Sequence, residues 1–268
     1  MLLSLLLLST SSAQDFPPPP KKAGMASIYD GDTFTLDTGD KVRLAGVNTP
    51  ELKPAEDYGV EAREAAEAFL SGKELTLIYG VTERDGYGRL ISWVEVDGQP
   101  LSVHLVERGL GHVFLIPPSD TADQAALLAA QEAARKAKRG IWSTESYSGS
   151  FHFTSFHANA AGDDRENVNG EYLRLCNITT QPQSLDGYRI TDHTGASWSL
   201  PALIVPAGHT VKIHSGQGSL QADPTSQLAI FLGSPTPIWN NQEDRATLYD
   251  RYDAVVDTRL HSVHKATP

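Results

Sequence analysis

The chain is poor in cysteine, with one thiol, Cys176, among 268 residues. A single cysteine excludes an internal disulfide and a cysteine-based zinc site. The chain also lacks an apolar run of the roughly 20 residues that a membrane-spanning helix needs. It must therefore be stabilised by apolar cores of its own, and we expect no membrane span.

Basic residues are scarce as well, with 22 Lys and Arg against 33 Asp and Glu, a net charge of −11. Taken alone, this charge repels a polyanion at long range and argues against a nucleic-acid partner. Apolar residues make up 40% and charged residues 21% of the chain, which are ordinary globular values. The composition therefore excludes a wholly disordered chain.

The amino terminus has the pattern of a targeting segment. Residues 2–8 read LLSLLLL, and the small residues Ser11–Ala13 follow, which predicts a signal peptide over residues 1–13. A disordered apolar tail is the alternative, because no basic residue precedes the run. Four prolines at 17–20 predict an extended spacer over residues 14–23. We therefore expect a secreted protein, extracellular or periplasmic.

The length favours two compact units, and the texture of the sequence changes at residues 144–150, a polar, turn-rich linker. Before it, over residues 24–143, strand patterns alternate with helical ones. After it, over residues 151–262, short alternating runs lie between turn residues with no helical period. This second pattern predicts an antiparallel β-sandwich.

The first unit shows four strand patterns and three helical ones. The segments predicted as strands are 27–36, 41–47, 74–79 and 89–96, and the segments predicted as helices are 60–70, 100–108 and one that opens on the capping-box pattern of residues 121–124. A hairpin turn at residues 37–40 joins the first two strands, since Gly39 accepts a positive φ. A small closed sheet that carries three helices is the expected result.

Four short stretches hold polar residues that such a sheet does not need: 29–33, Arg43, 48–51 and 85–89. Each alone is an ordinary turn, strand exit or solvated charge. Together they group carboxylate, amide and hydroxyl oxygens, which suit Ca²⁺, with two arginines, which bind phosphate oxygens bidentately. This combination predicts a phosphodiester site.

The same stretches resemble the staphylococcal (micrococcal) nuclease, or thermonuclease, family. The matching blocks are Asp-Gly-Asp-Thr at 30–33, the strand and exit at 43–51, Tyr-Gly-Arg at 87–89, the helix end at 105–110 and Gly-Ile-Trp-Ser at 140–143. They occur in the family order over residues 24–143. The resemblance implies a five-stranded Greek-key OB barrel with three helices, and a Ca²⁺-dependent endonuclease acting on DNA and/or RNA.

The resemblance also implies a metal site. Asp32 and Asn48 would bind Ca²⁺ together with the backbone carbonyl of Thr49. The family has a second aspartate where this chain has Asn48, so calcium should bind more weakly here unless Asp30 compensates.

The remaining roles carried by the resemblance concern substrate. Glu51 would act as the general base through a water molecule, while Arg43 and Arg89 would grip the phosphoryl oxygens. Tyr87 could offer the nucleotide its hydroxyl or its ring. The aromatic residue expected after the second helix is Leu115 in this chain.

The second unit is similar to the lamin-tail domain, an immunoglobulin-like sandwich that is appended to secreted nucleases among other proteins. The segments that carry this likeness are 169–177, 185–192, 203–213, 239–241 and 244–250. The likeness implies a fold but no chemistry. A surface, a protein or nucleic acid could be its partner, and we expect a monomer.

Two functions from different classes follow. The first is a secreted calcium-dependent nuclease that hydrolyses phosphodiester bonds by metal-assisted attack of water. The alternative is a noncatalytic secreted module that binds nucleic acid or protein. Residues 24–150 contain 12 basic and 20 acidic side chains, so the nuclease interpretation predicts weak substrate affinity without metal and a strong dependence on Ca²⁺.

Overall fold

The computed structural model describes residues 16–118 and 123–263. The predicted signal peptide over residues 1–13 and Thr121 of the predicted capping box lie outside the described residues. Within the described part, no helix is long and apolar enough to cross a membrane.

The first unit is a curled sheet with three helices. Its strands are β1 (Lys22–Ala23), β2 (Met25–Ile28), β3 (Thr33–Leu36), β4 (Lys41–Leu44), β5 (Gly46–Asn48), β6 (Leu75–Ile78), β7 (Leu90–Val96), β8 (Gln99–Pro100) and β9 (His112–Phe114). The main sheet has the order β1-β6-β7-β4-β3-β2, with β7 parallel to β4. Strand β7 lies between β6 and β4. This is the Greek-key order of the OB fold, as predicted.

The predicted strand over residues 27–36 is wrong in its middle, because the chain turns between β2 and β3. The Asp30 carboxylate accepts hydrogen bonds from the backbone N–H groups of Asp32 and Thr33, at 3.1 and 2.7 Å. A side chain that caps its own turn competes with the strand ladder. The turn leaves Asp32 at the edge of the sheet, facing the site described below.

The predicted strand over residues 41–47 is also divided. Gly46 has a φ of +80°, and a Cβ there would lie 2.6 Å from the ring of Trp93. Only glycine fits both constraints. The chain therefore leaves the main sheet, and β5 pairs antiparallel with β9 instead.

The helices are α1 (Gly59–Leu70), α2 (Leu101–Glu107) and α3 (Gln124–Lys136), close to the predicted bounds. The residue preceding α3, Asp123, makes no side-chain capping hydrogen bond to any residue that the structure describes. The buried faces of α1 and α2 join the strands in one core that includes Phe34, Leu44 and Leu105. Helix α3 contributes Leu127 and Ala130 to the same core.

The second unit is a β-sandwich. Its strands are β10 (Phe151–His157), β11 (Tyr172–Asn177), β12 (Gln183–Ser184), β13 (Arg189–Thr191), β14 (Ser197–Ser199), β15 (Ile204–Val205), β16 (Thr210–His214), β17 (Leu228–Phe231), β18 (Glu243–Tyr249) and β19 (Val255–Ser262). One sheet has the order β10-β11-β16-β17 and the facing sheet the order β14-β13-β18-β19. The predicted sandwich is confirmed.

The core of the sandwich comes from the alternating apolar residues of the sequence. Phe153, Leu175 and Ile213 from one sheet are buried with Ile190 and Leu248 from the other. One feature differs from the antiparallel prediction, because β17 runs parallel to β16. A long connection between these two strands permits the parallel pairing, since a tight hairpin cannot.

The segments at the ends of the first unit are not free spacers. Within the predicted spacer of residues 14–23, β1 pairs with β6, and the Tyr79 hydroxyl donates to the Pro20 carbonyl at 2.7 Å. Within the predicted linker of residues 144–150, Tyr147 is buried. The linker and the described part of the spacer, residues 16–23, therefore pack against the fold.

The two units share an interface in which main-chain groups pair directly. The Leu115 N–H donates to the Gly208 carbonyl at 2.8 Å, and the Thr210 N–H donates to the Leu115 carbonyl at 3.1 Å. The Gln131 amide donates to the Ile178 carbonyl. Buried Cys176 contacts the Val113 carbonyl, and burial raises the pKa of its thiol. This thiol is a packed side chain, as predicted.

A buried histidine at this interface predicts acid sensitivity. His112 is fully buried near Tyr147 and His152, and burial together with His152 lowers its pKa from 6.5 to about 3. Between pH 6.5 and 3, the unfolded chain therefore binds a proton at His112 and the folded chain does not. The free energy of unfolding falls as the pH decreases through this range. The loss is on the order of 1 kcal/mol per pH unit.

Chemical unfolding of the wild type and of His112→Gln at pH 7, 6, 5 and 4 tests this expectation. Other titrating groups are common to both proteins, so the difference between them isolates His112. The wild type should lose stability more steeply than the variant on acidification. Parallel curves would show that His112 does not titrate as described.

Candidate active site

A cleft of about 770 Å³ lies between residues of β3, β4 and β7 in the first unit and residues of β10, β11 and β16 in the second unit. Most of the predicted site residues line it: Asp32, Arg43, Asn48, Glu51, Tyr87 and Arg89. Thr49 does not lie on the wall. It is buried behind Asp32, and its N–H donates to Asp32 Oδ2 at 2.9 Å.

Asp32, Arg43 and Asn48 form a connected group at the base of the cleft. Arg43 Nη2 lies 3.2 Å from Asp32 Oδ2 and donates to Asn48 Oδ1 at 3.1 Å. Arg43 Nη1 donates to the carbonyls of Leu44 and Val47, at 2.5 and 2.8 Å. Arg43 is thus mostly buried and fixed by the bend between β4 and β5, and it is not a plain solvated charge.

Glu51 lies just beyond this group on the strand exit. Its backbone N–H donates to Glu56 Oε2 at 2.9 Å, and the Glu56 N–H donates back to the Glu51 carbonyl at 2.9 Å. Burial, Asp32 and Asp30 raise the pKa of Glu51 to about 7, against the opposing charge of Arg259. A carboxyl with this pKa is suited to accept a proton near neutral pH.

Arg89 enters the cleft from the other side, at the start of β7. Its Nε donates to Asp85 Oδ2 at 2.8 Å, and Asp85 also accepts from the N–H groups of Tyr87 and Arg89. The Arg89 guanidinium lies 5.6 Å from the centre of the Tyr87 ring, which is 74% exposed. The turn thus presents both side chains to the cleft.

The donor set fits a hard divalent cation. Burial and the neighbouring Asp32 carboxylate raise the pKa of Asp30 to about 6. The pKa of Glu51 is also raised. These carboxyl groups therefore hold more negative charge than Arg43 balances. Buried Thr49 Oγ1 also has no hydrogen-bond partner within the described part of the chain. Among described residues, no three His, Cys, Asp or Glu side chains are grouped to hold a metal, so an amide or carbonyl oxygen must complete the set.

Two departures from the family pattern have structural outcomes. Asp30 caps its own turn with Oδ1, so it can compensate for Asn48 only through its other oxygen. Leu115 is buried under the second unit and cannot stack on a ligand.

The sequence did not identify the part of the site that the second unit supplies. Tyr172, Arg174 and Lys212 line the same cleft. Arg259 of β19 is ion-paired with Glu56, the residue that holds the Glu51 backbone. The alternation along β11 indicates that Tyr172 and Arg174 face away from the sandwich core. It could not indicate what they face.

The Arg259–Glu56 pair predicts a stability effect. Both side chains are mostly buried, and Arg259 also donates to the Phe153 carbonyl. Arg259→Met removes the charge and leaves Glu56 without its partner, so we expect the free energy of unfolding to fall by about 1–3 kcal/mol. Arg251→Met is the matched control, because the Arg251–Asp186 pair is exposed, and exposed pairs contribute little. Equal unfolding midpoints for the two variants would contradict the expectation.

Comparison with known proteins agrees with this architecture. Residues 41–144 match the family model described as staphylococcal nuclease homologue, and residues 144–262 match the Lamin Tail Domain. The chain is 31% identical over 122 residues to a thermonuclease of Staphylococcus intermedius and 32% identical over 123 residues to one of Staphylococcus hyicus. Each match covers 43% of this chain and 72% of the relative.

A third relative is an endonuclease, YncB, of Bacillus subtilis, which is 32% identical over 128 residues that cover 44% of this chain and 60% of the relative. The residues that match, the sequence identity to the relatives and the strand order of the first unit all agree with one family. The chain therefore belongs to the family of staphylococcal nuclease homologues, and its nuclease-homologous part is followed by a Lamin Tail Domain.

Proposed function

We propose that this chain is a secreted calcium-dependent endonuclease that hydrolyses phosphodiester bonds of DNA and/or RNA by metal-assisted attack of water. The observation that carries the proposal is the single cleft that joins two arginines, Arg43 and Arg89, to oxygen donors and to Glu51. The names of the relatives, thermonuclease and endonuclease, support the reaction class. Secretion rests on the pattern of residues 1–13.

Asp32, Asn48 and the backbone carbonyl of Thr49 are the groups proposed to hold calcium. When bound, calcium would polarise a phosphoryl oxygen and offset the charge that develops during attack. Its positive charge would also offset the excess negative charge of Asp30, Asp32 and Glu51.

The two arginines are proposed to bind the phosphoryl oxygens. Attack on a phosphodiester increases the negative charge on those oxygens, so fixed guanidinium groups stabilise the transition state more than the ground state. The hydrogen bonds of Arg43 to Leu44 and Val47 fix its plane in advance. Arg89 neutralises the leaving oxygen, because a guanidinium with a pKa above about 12 does not serve readily as a proton donor.

Glu51 is proposed to take a proton from the attacking water. Its carboxyl is half-buried beside the metal-binding oxygens, and its main chain is anchored to Glu56. Tyr87 is proposed to contact the nucleotide, and its exposed ring beside Arg89 supports this role.

Digestion of single-stranded DNA, duplex DNA and RNA by the purified full chain tests the proposal. Cleavage should require Ca²⁺, stop in a calcium chelator and return when calcium is restored. A parallel preparation of Glu51→Gln controls for a contaminating nuclease. Cleavage that continues unchanged in chelator would refute the metal mechanism, and binding without cleavage under any divalent cation would favour the noncatalytic module.

A further inference from the structure

The second unit forms one wall of the cleft, and this wall carries positive charge. We propose that Arg174 and Lys212, supported by Tyr172, bind phosphates of the nucleic-acid strand beyond the bond that is cut. The proposal rests on the proposed function for the identity of the strand. It assigns the Lamin Tail Domain a direct part in substrate binding.

Arg174 and Lys212 face each other across neighbouring strands. They are register partners in the antiparallel pair β11–β16. Like charges placed directly opposite in a sheet are destabilising, and among described residues no carboxylate lies within ion-pair distance of either cation. Burial and their mutual repulsion lower the pKa of Lys212, and burial also lowers the pKa of Arg174.

Such an arrangement costs stability unless something compensates it. Both cations are partly desolvated and lack an anion among the described residues. A bound phosphate would offset this desolvation cost by accepting charge-assisted hydrogen bonds from them. Both side chains line the cleft that also holds Arg43 and Arg89. A strand bound at the two catalytic arginines can therefore extend its backbone toward this pair.

The side chains around the pair hold it in place. Arg174 Nη1 donates to Thr210 Oγ1 at 3.2 Å and to Gln227 Oε1. Both acceptors are neutral, so the guanidinium is oriented without being neutralised. With Nη1 engaged, the fork still has its Nε and Nη2 donors.

Lys212 is oriented by an aromatic ring. Its Nζ lies 3.8 Å from the centre of the Tyr172 ring, and His157 stacks on Tyr172 with the ring planes 3° apart. This cation–π contact restrains a flexible side chain without removing its charge. Burial and the hydroxyl of Tyr87 raise the pKa of Tyr172, and both tyrosines line the cleft.

Binding of a fluorescent single-stranded 12-nucleotide DNA by the full chain tests the proposal. The assay is run in chelator at several salt concentrations, and the variants are Arg174→Gln, Lys212→Gln and the double variant. Arg251→Gln, on an exposed loop, is the control. Each single variant should raise Kd about 5–10-fold, and each lost phosphate contact should reduce the salt slope by about 0.7.

A charge reversal separates binding from folding. Lys212→Glu places a carboxylate opposite Arg174, so it should raise the melting temperature while it weakens oligonucleotide binding. Competition with inorganic phosphate distinguishes a site for free phosphate from one for a strand. If phosphate competes at concentrations similar to those of the DNA phosphates, the strand-binding role is refuted.

The result that would overturn the proposal is a double variant with Kd within twofold of the wild type and the same salt slope. The cleavage assay is run in parallel, so the two failures are distinguishable. If the variants lose binding and the wild type does not cleave, phosphate binding by Arg174 and Lys212 is supported and the proposed function is refuted. If the variants bind as the wild type does and the wild type cleaves, only phosphate binding by Arg174 and Lys212 is refuted.

Discussion

Replacing Glu51 with glutamine is expected to lower kcat for nucleic-acid cleavage by about 10²–10⁴-fold, with a much smaller change in KM. The amide has nearly the same size as the carboxyl but cannot take the proton of the attacking water. The main chain of residue 51 is held by two hydrogen bonds, one from its N–H to Glu56 Oε2 and one from the Glu56 N–H to its carbonyl, and the substitution leaves both intact. The loss therefore reports on chemistry, with the fold preserved.

Steady-state cleavage of a labelled oligonucleotide in excess calcium measures this effect. Glu61→Gln is the matched control, because Glu61 is an exposed carboxylate on the first turn of α1. The control should stay within twofold of the wild type. If kcat of Glu51→Gln also stays within twofold of the wild type, Glu51 is not the base.

Arg43→Lys is expected to lower kcat by about 10²–10³-fold. Lysine keeps the positive charge but lacks the planar fork that can hold Asp32, Asn48 and two backbone carbonyls at once. The same loss leaves carbonyls of the β4–β5 bend unpaired. We therefore expect the free energy of unfolding to fall by about 1–3 kcal/mol as well.

A second arginine separates the two effects of Arg43→Lys. Arg84 is ion-paired with Asp40 at 2.9 Å and is equally buried, but it does not line the cleft. Arg84→Lys should lose stability and keep its rate when assayed well below its melting temperature. A fall in rate of similar size in both variants would show that destabilisation, and not lost phosphate binding, explains Arg43.

Much of this fold can be predicted from the sequence, because apolar alternation and helical periodicity are local signals. They locate the three helices and the strands that bury Phe34, Phe153 and Leu175. They fail at Asp30 and Gly46, where a side-chain cap and a positive φ divide strands that look continuous. In both places the break serves the site, since it turns Asp32 and Asn48 toward the cleft.

The site is predictable only for the residues that lie close together along the chain. Asp32, Arg43, Asn48 and Glu51 share one stretch, and the likeness to a known family supplies their roles. Arg174 and Lys212 could not be predicted, because their meaning depends on how two units dock. Their opposition across β11 and β16 follows from strand register, which a single sequence does not determine.

The net charge of −11 is a property of the whole chain, whereas a ligand in the cleft meets the charges that line it. The acidic residues at the base of the cleft are proposed to hold calcium, and the cations that face substrate come from both units. Overall charge therefore does not decide the partner, because a polyanion in the cleft meets Arg43, Arg89, Arg174 and Lys212 at short range.

The most direct test is release of acid-soluble nucleotides from single-stranded DNA by the full chain and by Glu51→Gln, purified in parallel. Each is assayed with calcium, then with chelator, then with calcium restored. We predict rapid release by the wild type in calcium, none in chelator, full recovery on restoration, and at most about 1% of that rate in the variant. Equal release in chelator, or equal release by the variant, would contradict it.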